Sequence, residues 1–163
     1  MNDLLMDEVD LALLNCLQQD ASQANHALAA KVGVSPATAL RRVKRLTEAG
    51  LIEKQVAVLQ PDRLAEHTGH GLTAIAEISL DKQGAEHLDA FEGILLGEPE
   101  VQQCYRVSPG PDFVVVLTVR DMPGYHALAQ RVFTQQANVR NVRTFFSVKR
   151  TKFGTALPLP HTL

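Results

Sequence analysis

Apolar positions along this chain follow two rhythms, and the change comes near residue 60. Up to Gly50 they recur three and four residues apart, the period of a helix with one buried face. Asp7 and Asp10 place carboxylates where an N-cap and a first turn want them, and Leu11, Leu14 and Leu17 then mark a first helix running to Gln19. A second, short helix is predicted from Asn25 to Val32, with Leu28 and Val32 on one face and Gly33 just past its end. Ser35-Pro36 reads as the N-cap and first position of a third helix, because a serine hydroxyl satisfies an orphan amide and proline has none to satisfy. That helix carries Ala39, Val43 and Leu46 as its apolar stripe and stops at Gly50, after which LIEKQVAVL alternates as a strand or small wing. Helix, short helix, turn, helix and wing is the layout of a winged helix-turn-helix.

From Gln60 to Gly71 the chain is aperiodic and contains Pro, His and Gly, which predicts a linker over 60–71 between domains at 1–59 and 72–163. Beyond it LTAIAEISL reads as a strand, GAEHLDAFEGILLG as a helix and VQQCYRV as a strand. SPGPD is then a turn, FVVVLTV a strand, PGYHALAQRVFTQQ a helix and VRNVRTFFSVKR a strand. The order β-α-β-β-α-β predicts an α+β, ferredoxin-like sandwich with both helices on one sheet face. Its other face needs a cover, since residues such as Ile75, Val114, Val116 and Phe146 would otherwise leave an apolar patch in water. Association with another copy is the simplest cover. The tail ALPLPHTL is too rich in proline to extend the last strand.

Composition narrows the function by exclusion. With 45% hydrophobic and 21% charged residues, the chain is too apolar for disorder, and no apolar run approaches the roughly 18 residues of a membrane span. The acidic start MNDLLMDEVD is unlike a secretory signal, so a cytoplasmic location is expected. Cys16 and Cys104 lie far apart within apolar patterns and read as reduced core thiols. Among His26, His67, His70, His87, His126 and His161 only His67 and His70 are close, and no ligand set with zinc spacing completes them, so no metal and no cofactor is expected. Ser35 and Ser108 lie in no nucleophile elbow and no glycine-rich phosphate loop follows a strand, so no catalytic residue is assigned and an enzyme is not expected.

The net charge of -2 supplies no general attraction to phosphate, so nucleic-acid binding requires a local patch. The third helix has one: Arg41, Arg42, Lys44 and Arg45, four cations in five residues. At about 100° per residue, Thr38, Arg41 and Arg45 stand opposite the apolar stripe, with Ala37 and Lys44 on one flank and Arg42 on the other. A small-residue first turn, Ser35 to Thr38, with longer cations behind it suits the second helix of a helix-turn-helix in a major groove. Thr38 and Arg41 are the base-edge candidates, and Lys44, Arg45 and Arg42 the phosphate candidates. A solvated helix face is the competing reading, which the preceding turn outweighs. The first domain as a whole is not basic, so a single head should bind weakly and double-stranded DNA binding calls for at least a dimer.

Several stretches together are recognisable. Met6-Asp7-x-x-Asp10-x-x-x-Leu14, Val32-Gly33-Val34-Ser35-Pro36, Arg42-Val43-x-x-Leu46 and Gly50-Leu51-Ile52 resemble the Lrp/AsnC family, the feast/famine or leucine-responsive regulators. Val107 to Phe113 is similar to that family's loop of glycine, two variable residues, aspartate and an aromatic, and Arg150 to Leu159 to its tail. The resemblance implies a DNA-binding winged helix followed by a domain that dimerises and binds an amino acid, with four dimers forming an octamer. It also implies an effector site: Asp112 for the ammonium group, the Ser108 hydroxyl and Gly110 amide for the carboxylate, and Phe113 with Val139 and Arg140 of a neighbouring subunit shaping the pocket. Leucine and methionine are the first effectors it suggests. Two departures stand out. Pro109 occupies the loop-glycine position with Pro111 two places later, which removes two amides, and Ala24 replaces a capping hydroxyl, leaving Asn25 as the alternative cap. Read on its own, SPGPD is also an ordinary hairpin turn with Asp112 bonded to backbone.

The expected function is therefore a sequence-specific transcriptional regulator modulated by a small effector. The alternative is a small-molecule-sensing or enzymatic ferredoxin-like protein whose helical head contacts protein.

Overall fold

The computed structural model describes residues 5–69 and 71–160, so the histidines at 70 and 161 weighed above as metal ligands lie outside the described residues. The chain divides into two compact units: the residues up to Val58 together with those from Lys152 onward, and Leu59–Thr151. The tail, expected with the second domain, thus groups with the helical one.

The first unit holds α1 (Glu8–Gln19), α2 (Asn25–Val32) and α3 (Pro36–Glu48). Asp7 caps α1 in a reciprocal box with Asp10: each backbone N–H donates to the other's carboxylate, at 3.0 and 3.2 Å. Gly33 closes α2 at φ 71, a conformation that favours glycine, and this lets Val34 N–H reach back to Ala29 O at 3.0 Å. Ser35 caps α3 by accepting from Thr38 N–H, with Pro36 at its first position. Leu13, Leu28, Ala29 and Ala39 are the buried centre of this small core, and the half-buried Val9, Cys16, Leu17, Val32, Val34 and Val43 surround it.

Two expectations here are corrected. Asn25 does not cap α2: Ala24 is the cap, without a side-chain bond, and the Asn25 amide instead donates to Pro36 O at 2.8 Å, joining the starts of α2 and α3. The stretch 51–59 is irregular among the described residues rather than a wing strand, and it leaves Val56, Val58 and Leu59 exposed. Alternation makes a strand only where another strand supplies hydrogen bonds, and the described residues of the first unit contain none.

The second unit corrects the predicted 60–71 linker. Pro61–Thr68 is a helix, α4. Its proline sits at the first turn, where it is tolerated, and Gly69 lies past its end, so the residues read as breakers are its punctuation. Then follow β1 (Leu72–Leu80), α5 (Ala85–Leu96), β2 (Val101–Arg106), β3 (Phe113–Val119), α6 (Met122–Ala129) continued by one π-helical turn (Gln130–Thr134), and β4 (Val139–Phe146). The sheet is antiparallel in the order β2-β3-β1-β4, the split βαββαβ arrangement expected. Ala74, Ala76, Ile78 and Leu80 of β1 and Phe113, Val115, Leu117 and Val119 of β3 face the helices, packing against Phe91, Leu95, Leu128, Val132 and Phe133.

The opposite sheet face carries Ile75 between Val116 and Phe145, and Glu77 between Val114 and Arg143. Ile75 and Phe145 are 40% and 46% exposed, so the apolar patch exists. Phe146 is not part of it. Its ring packs edge-on against Tyr125 of α6, 4.9 Å between centroids, because its side chain points to the helix side of β4. Among the described residues no helix is long and apolar enough to cross a membrane.

Candidate functional site

The cations of α3 separate into two pairs. Arg41 and Lys44 are exposed, Arg41 with no ion-pair partner among the described residues and Lys44 only 3.7 Å from Glu48. Arg42 and Arg45, three residues apart, turn back to α1. Arg42 Nη1 lies 2.8 Å from both carboxylate oxygens of Asp7 and 3.0 Å from Asp10 Oδ1, and Arg45 Nη2 donates to Asp10 Oδ2. Asp10 is completely buried, and two guanidiniums and the Asp7 N–H meet its oxygens, the pairing that a carboxylate in such a place needs. The Asp10 backbone N–H, and after it Arg42, hold the Asp7 carboxyl below the ordinary aspartate value, while Asp7 and Asp10 push the Arg42 guanidinium up.

The helical period places Arg45 on the outward face of α3, whereas in the structure its guanidinium reaches Asp10. The available signal was the i, i+3 spacing of Arg42 and Arg45, which puts both on one side of α3. A helical wheel gives the direction in which a side chain leaves the backbone; it does not say how far an arginine bends back to reach a buried anion.

At the start of α3, Ser35 and Ala37 are exposed and Thr38 half-buried. The Ser35 and Thr38 hydroxyls lie 2.9 Å apart in a mutual hydrogen bond, which fixes both in the first turn. Ser35, Ala37, Thr38, Arg41 and Lys44 thus share an accessible edge, and Arg42 and Arg45 are drawn off it.

The six candidate effector residues fall in two places in the second unit. Ser108, Gly110, Asp112 and Phe113 belong to the β2–β3 hairpin. Gly110 there has φ 122, a value other residues rarely adopt. Asp112 is already engaged: its Oδ2 accepts from Leu80 N–H at 2.7 Å and from Gln83 Nε2 at 3.3 Å, and its own N–H donates to Ile78 O. Phe113 is fully buried, its ring 5.4 Å from that of Phe91, and it anchors the hairpin from inside the core.

Val139 and Arg140 lie elsewhere, in an open cleft of about 520 Å³ between α6 with its π-helical turn and the edge strand β4. Tyr125, Phe133, Thr134, Asn141 and Thr144 complete most of its wall, which mixes apolar side chains with hydroxyl, amide and guanidinium groups. The Tyr125 hydroxyl and Thr144 Oγ1 are hydrogen-bonded at 2.8 Å. None of the four hairpin residues lines this cleft.

Cys16 and Cys104 are free and half-buried, and burial, then Glu92, pushes the Cys104 thiol up, which makes it a poor nucleophile. Among the described residues no three His, Cys, Asp or Glu side chains form a group able to hold a metal ion.

Residues 6–47 match the family model of the AsnC-type helix-turn-helix domain, and residues 73–157 match that of the Lrp/AsnC ligand binding domain. Over 154 residues the chain is 36% identical to a protein of Haemophilus influenzae named an uncharacterized HTH-type transcriptional regulator, covering 94% of this chain and 89% of that one. It is 31% identical to the transcriptional regulator AzlB of Bacillus subtilis, covering 96% and 97%. An AsnC family transcriptional regulator from Agrobacterium tumefaciens superposes with a TM-score of 0.81 at 31% identity, covering 94% of this chain and 97% of that one. A transcriptional regulator from Neisseria meningitidis, solved as a complex with L-Met, gives 0.82 at 25% identity, covering 96% and 99%.

Proposed function

The chain belongs to the Lrp/AsnC family of transcriptional regulators and is not an enzyme, and from that premise we propose that the outer edge of α3 reads duplex DNA while the second unit binds a free amino acid between copies of the chain. The observation that carries the first half is the exposure of Ser35, Ala37, Arg41 and Lys44, with Thr38 half-buried among them, at the cap and along the second helix of a helix-turn-helix. Thr38 and Arg41 meet base edges; Lys44 meets a phosphate. Arg42 and Arg45, counted with the phosphate contacts on sequence grounds, serve chiefly to seat α3 on α1.

The second half rests on the split of the effector residues. A ligand held by the Ser108–Asp112 hairpin of one copy and by the Val139–Arg140 cleft of another explains why one copy carries both halves apart. Asp112 keeps Oδ1 for an ammonium group, the Ser108 hydroxyl and Gly110 N–H serve a carboxylate, and Phe113 holds the hairpin in place. Methionine and leucine are the first effectors to try, the former because a structural neighbour was solved with L-Met. Dimers form through the Ile75–Phe145 sheet face, and dimers associate further, to an octamer, around the effector sites.

The test is a duplex selected by the protein from a random-sequence pool. Arg41→Ala with Lys44→Ala should weaken binding to it at least tenfold, through the lost base contact of Arg41, and lower the slope of log affinity against log salt by about one, since the lost Lys44 phosphate contact is worth about 0.9. Undiminished affinity in a folded double variant overturns the assignment.

A further inference from the structure

We propose that Asp10 is a positioning residue for DNA recognition: its buried carboxylate ties Arg42 and Arg45 to α1, which fixes α3 in place and withholds two of its four clustered cations from sequence-blind phosphate binding. The inference rests on the reading that α3 meets DNA.

The observations are geometric. Asp10 has no solvent exposure, yet both of its oxygens are used, Oδ1 by Arg42 Nη1 at 3.0 Å and Oδ2 by Arg45 Nη2 and by Asp7 N–H at 3.2 Å. Asp7 adds two contacts to the same Arg42 nitrogen. Two carboxylates therefore balance two guanidiniums, and the cluster presents no net charge. The side chains of Arg42 and Arg45 are 24% and 42% exposed, against 74% for Lys44. They sit near the surface that would face a phosphate backbone but are already paired.

Charge and specificity then separate. Sequence-blind affinity grows with the number of phosphates neutralised, whereas discrimination depends on a fixed α3 holding Thr38 and Arg41 at the base edges. A cluster that pairs two arginines internally and locks α3 against α1 lowers the first and raises the second. Without the Asp10 charge, both guanidiniums lose their buried partner and extend toward solvent, adding phosphate contacts while loosening the helix they leave.

The experiment compares wild type and Asp10→Asn in the full chain on two probes: a duplex enriched by the wild type from a random pool, and unselected random-sequence duplex. Asparagine keeps the shape and removes the charge. Expected are tighter binding to random duplex, a salt slope steeper by about one to two, and a selected-to-random affinity ratio about tenfold lower, the size of one weakened base contact. A residue that only supported the fold would weaken both probes without steepening the slope. A folded Asp10→Asn with an unchanged slope and a ratio within twofold of wild type overturns the proposal. Should that variant fail to fold, Arg42→Gln with Asp10 intact decides the matter: an unchanged slope on random duplex supports internal pairing, and a slope lower by about one shows Arg42 on phosphate and overturns it. A wild type that enriches no duplex overturns the DNA reading itself, and this inference with it.

Discussion

The carboxamide of Gln18 on α1 pairs with the backbone of Leu157 on both sides: Leu157 N–H donates to Oε1 at 2.8 Å and Nε2 donates to Leu157 O at 2.9 Å. One side chain thus makes the two bonds a neighbouring strand would make, and it pins a proline-rich tail that cannot pair along its length. Gln18→Ala is expected to cost about 1 kcal/mol, since both bonds are exposed. It should speed hydrogen exchange at the tail amides nearest Leu157 well before α1 is affected. Unchanged protection there would mean the tail is held by something else.

Acid acts on the same unit through Asp7. Its folded carboxyl titrates below the ordinary value of 3.8, first because the Asp10 N–H donates to it and then because Arg42 does. A depressed carboxylate contributes stability that is present above the unfolded pKa and is lost as pH falls through the folded one. Urea midpoints should therefore hold steady from neutrality to about pH 4 and decline below it. Asp7→Asn lowers the neutral midpoint and flattens that decline. Asp20, held down by Ser22, and Glu98, held down by Arg131, contribute part of the acid loss, so some slope remains in the variant.

Which parts of this molecule the sequence discloses follows from the range of the forces involved. Asp7, Gly33 and Ser35-Pro36 act on amides within a turn of themselves, and each was found at the position predicted for it. β1 and β3 carry apolar runs or near-alternation between turn residues, and the predicted bounds match the observed ones. α4 is hidden in the sequence because Pro61, which reads as a loop residue, opens a helix and Gly69 closes it. The α3 cations were identified as a cluster, but Asp10 lies more than thirty residues away in sequence, and only tertiary packing decides which arginines it takes. Asp112 is a similar case: its bond to Leu80 N–H joins residues 32 apart, so no local pattern could reveal that one of its oxygens was occupied.

The sheet face offers a direct test of assembly. Ile75 pairs with both Val116 and Phe145, and the Arg143 guanidinium lies 4.9 Å above the Phe145 ring with Glu77 as its ion partner. An apolar centre edged by a charge pair has the make-up of a self-associating surface. Ile75→Asp places a charge at that centre without touching the core beneath, where Ala74 and Ala76 face the helices. The light-scattering mass should fall to that of one chain at micromolar concentration, with the far-ultraviolet dichroism retained. DNA affinity should fall with it, because two linked heads bind far more tightly than one. An unchanged mass would place the interface elsewhere.

Effector binding needs variants that do not also damage the fold. Asp112→Ala is a poor choice: it strips the partner from Leu80 N–H, and an unmet buried amide costs about 1–3 kcal/mol. Asp112→Asn keeps an acceptor there while removing the charge an ammonium group needs, and Arg140→Ala removes an exposed cleft residue at little cost to stability. In a thermal-shift screen of the twenty amino acids, a true effector at about one hundred times its Kd stabilises by about 2.7 kcal/mol, which for a chain of this size raises the Tm by roughly 5–10 °C. Methionine or leucine should give that shift with the wild type, and each variant should abolish it while its own unliganded Tm stays within a few degrees. Loss in Asp112→Asn alone would confine the ligand to the hairpin, and loss in Arg140→Ala alone would confine it to the cleft. If the two variants are mixed and an effector lies between copies, a part of the shift returns, since some interfaces then pair an intact hairpin with an intact cleft. A shift that survives in both variants would remove the amino-acid site from these residues altogether.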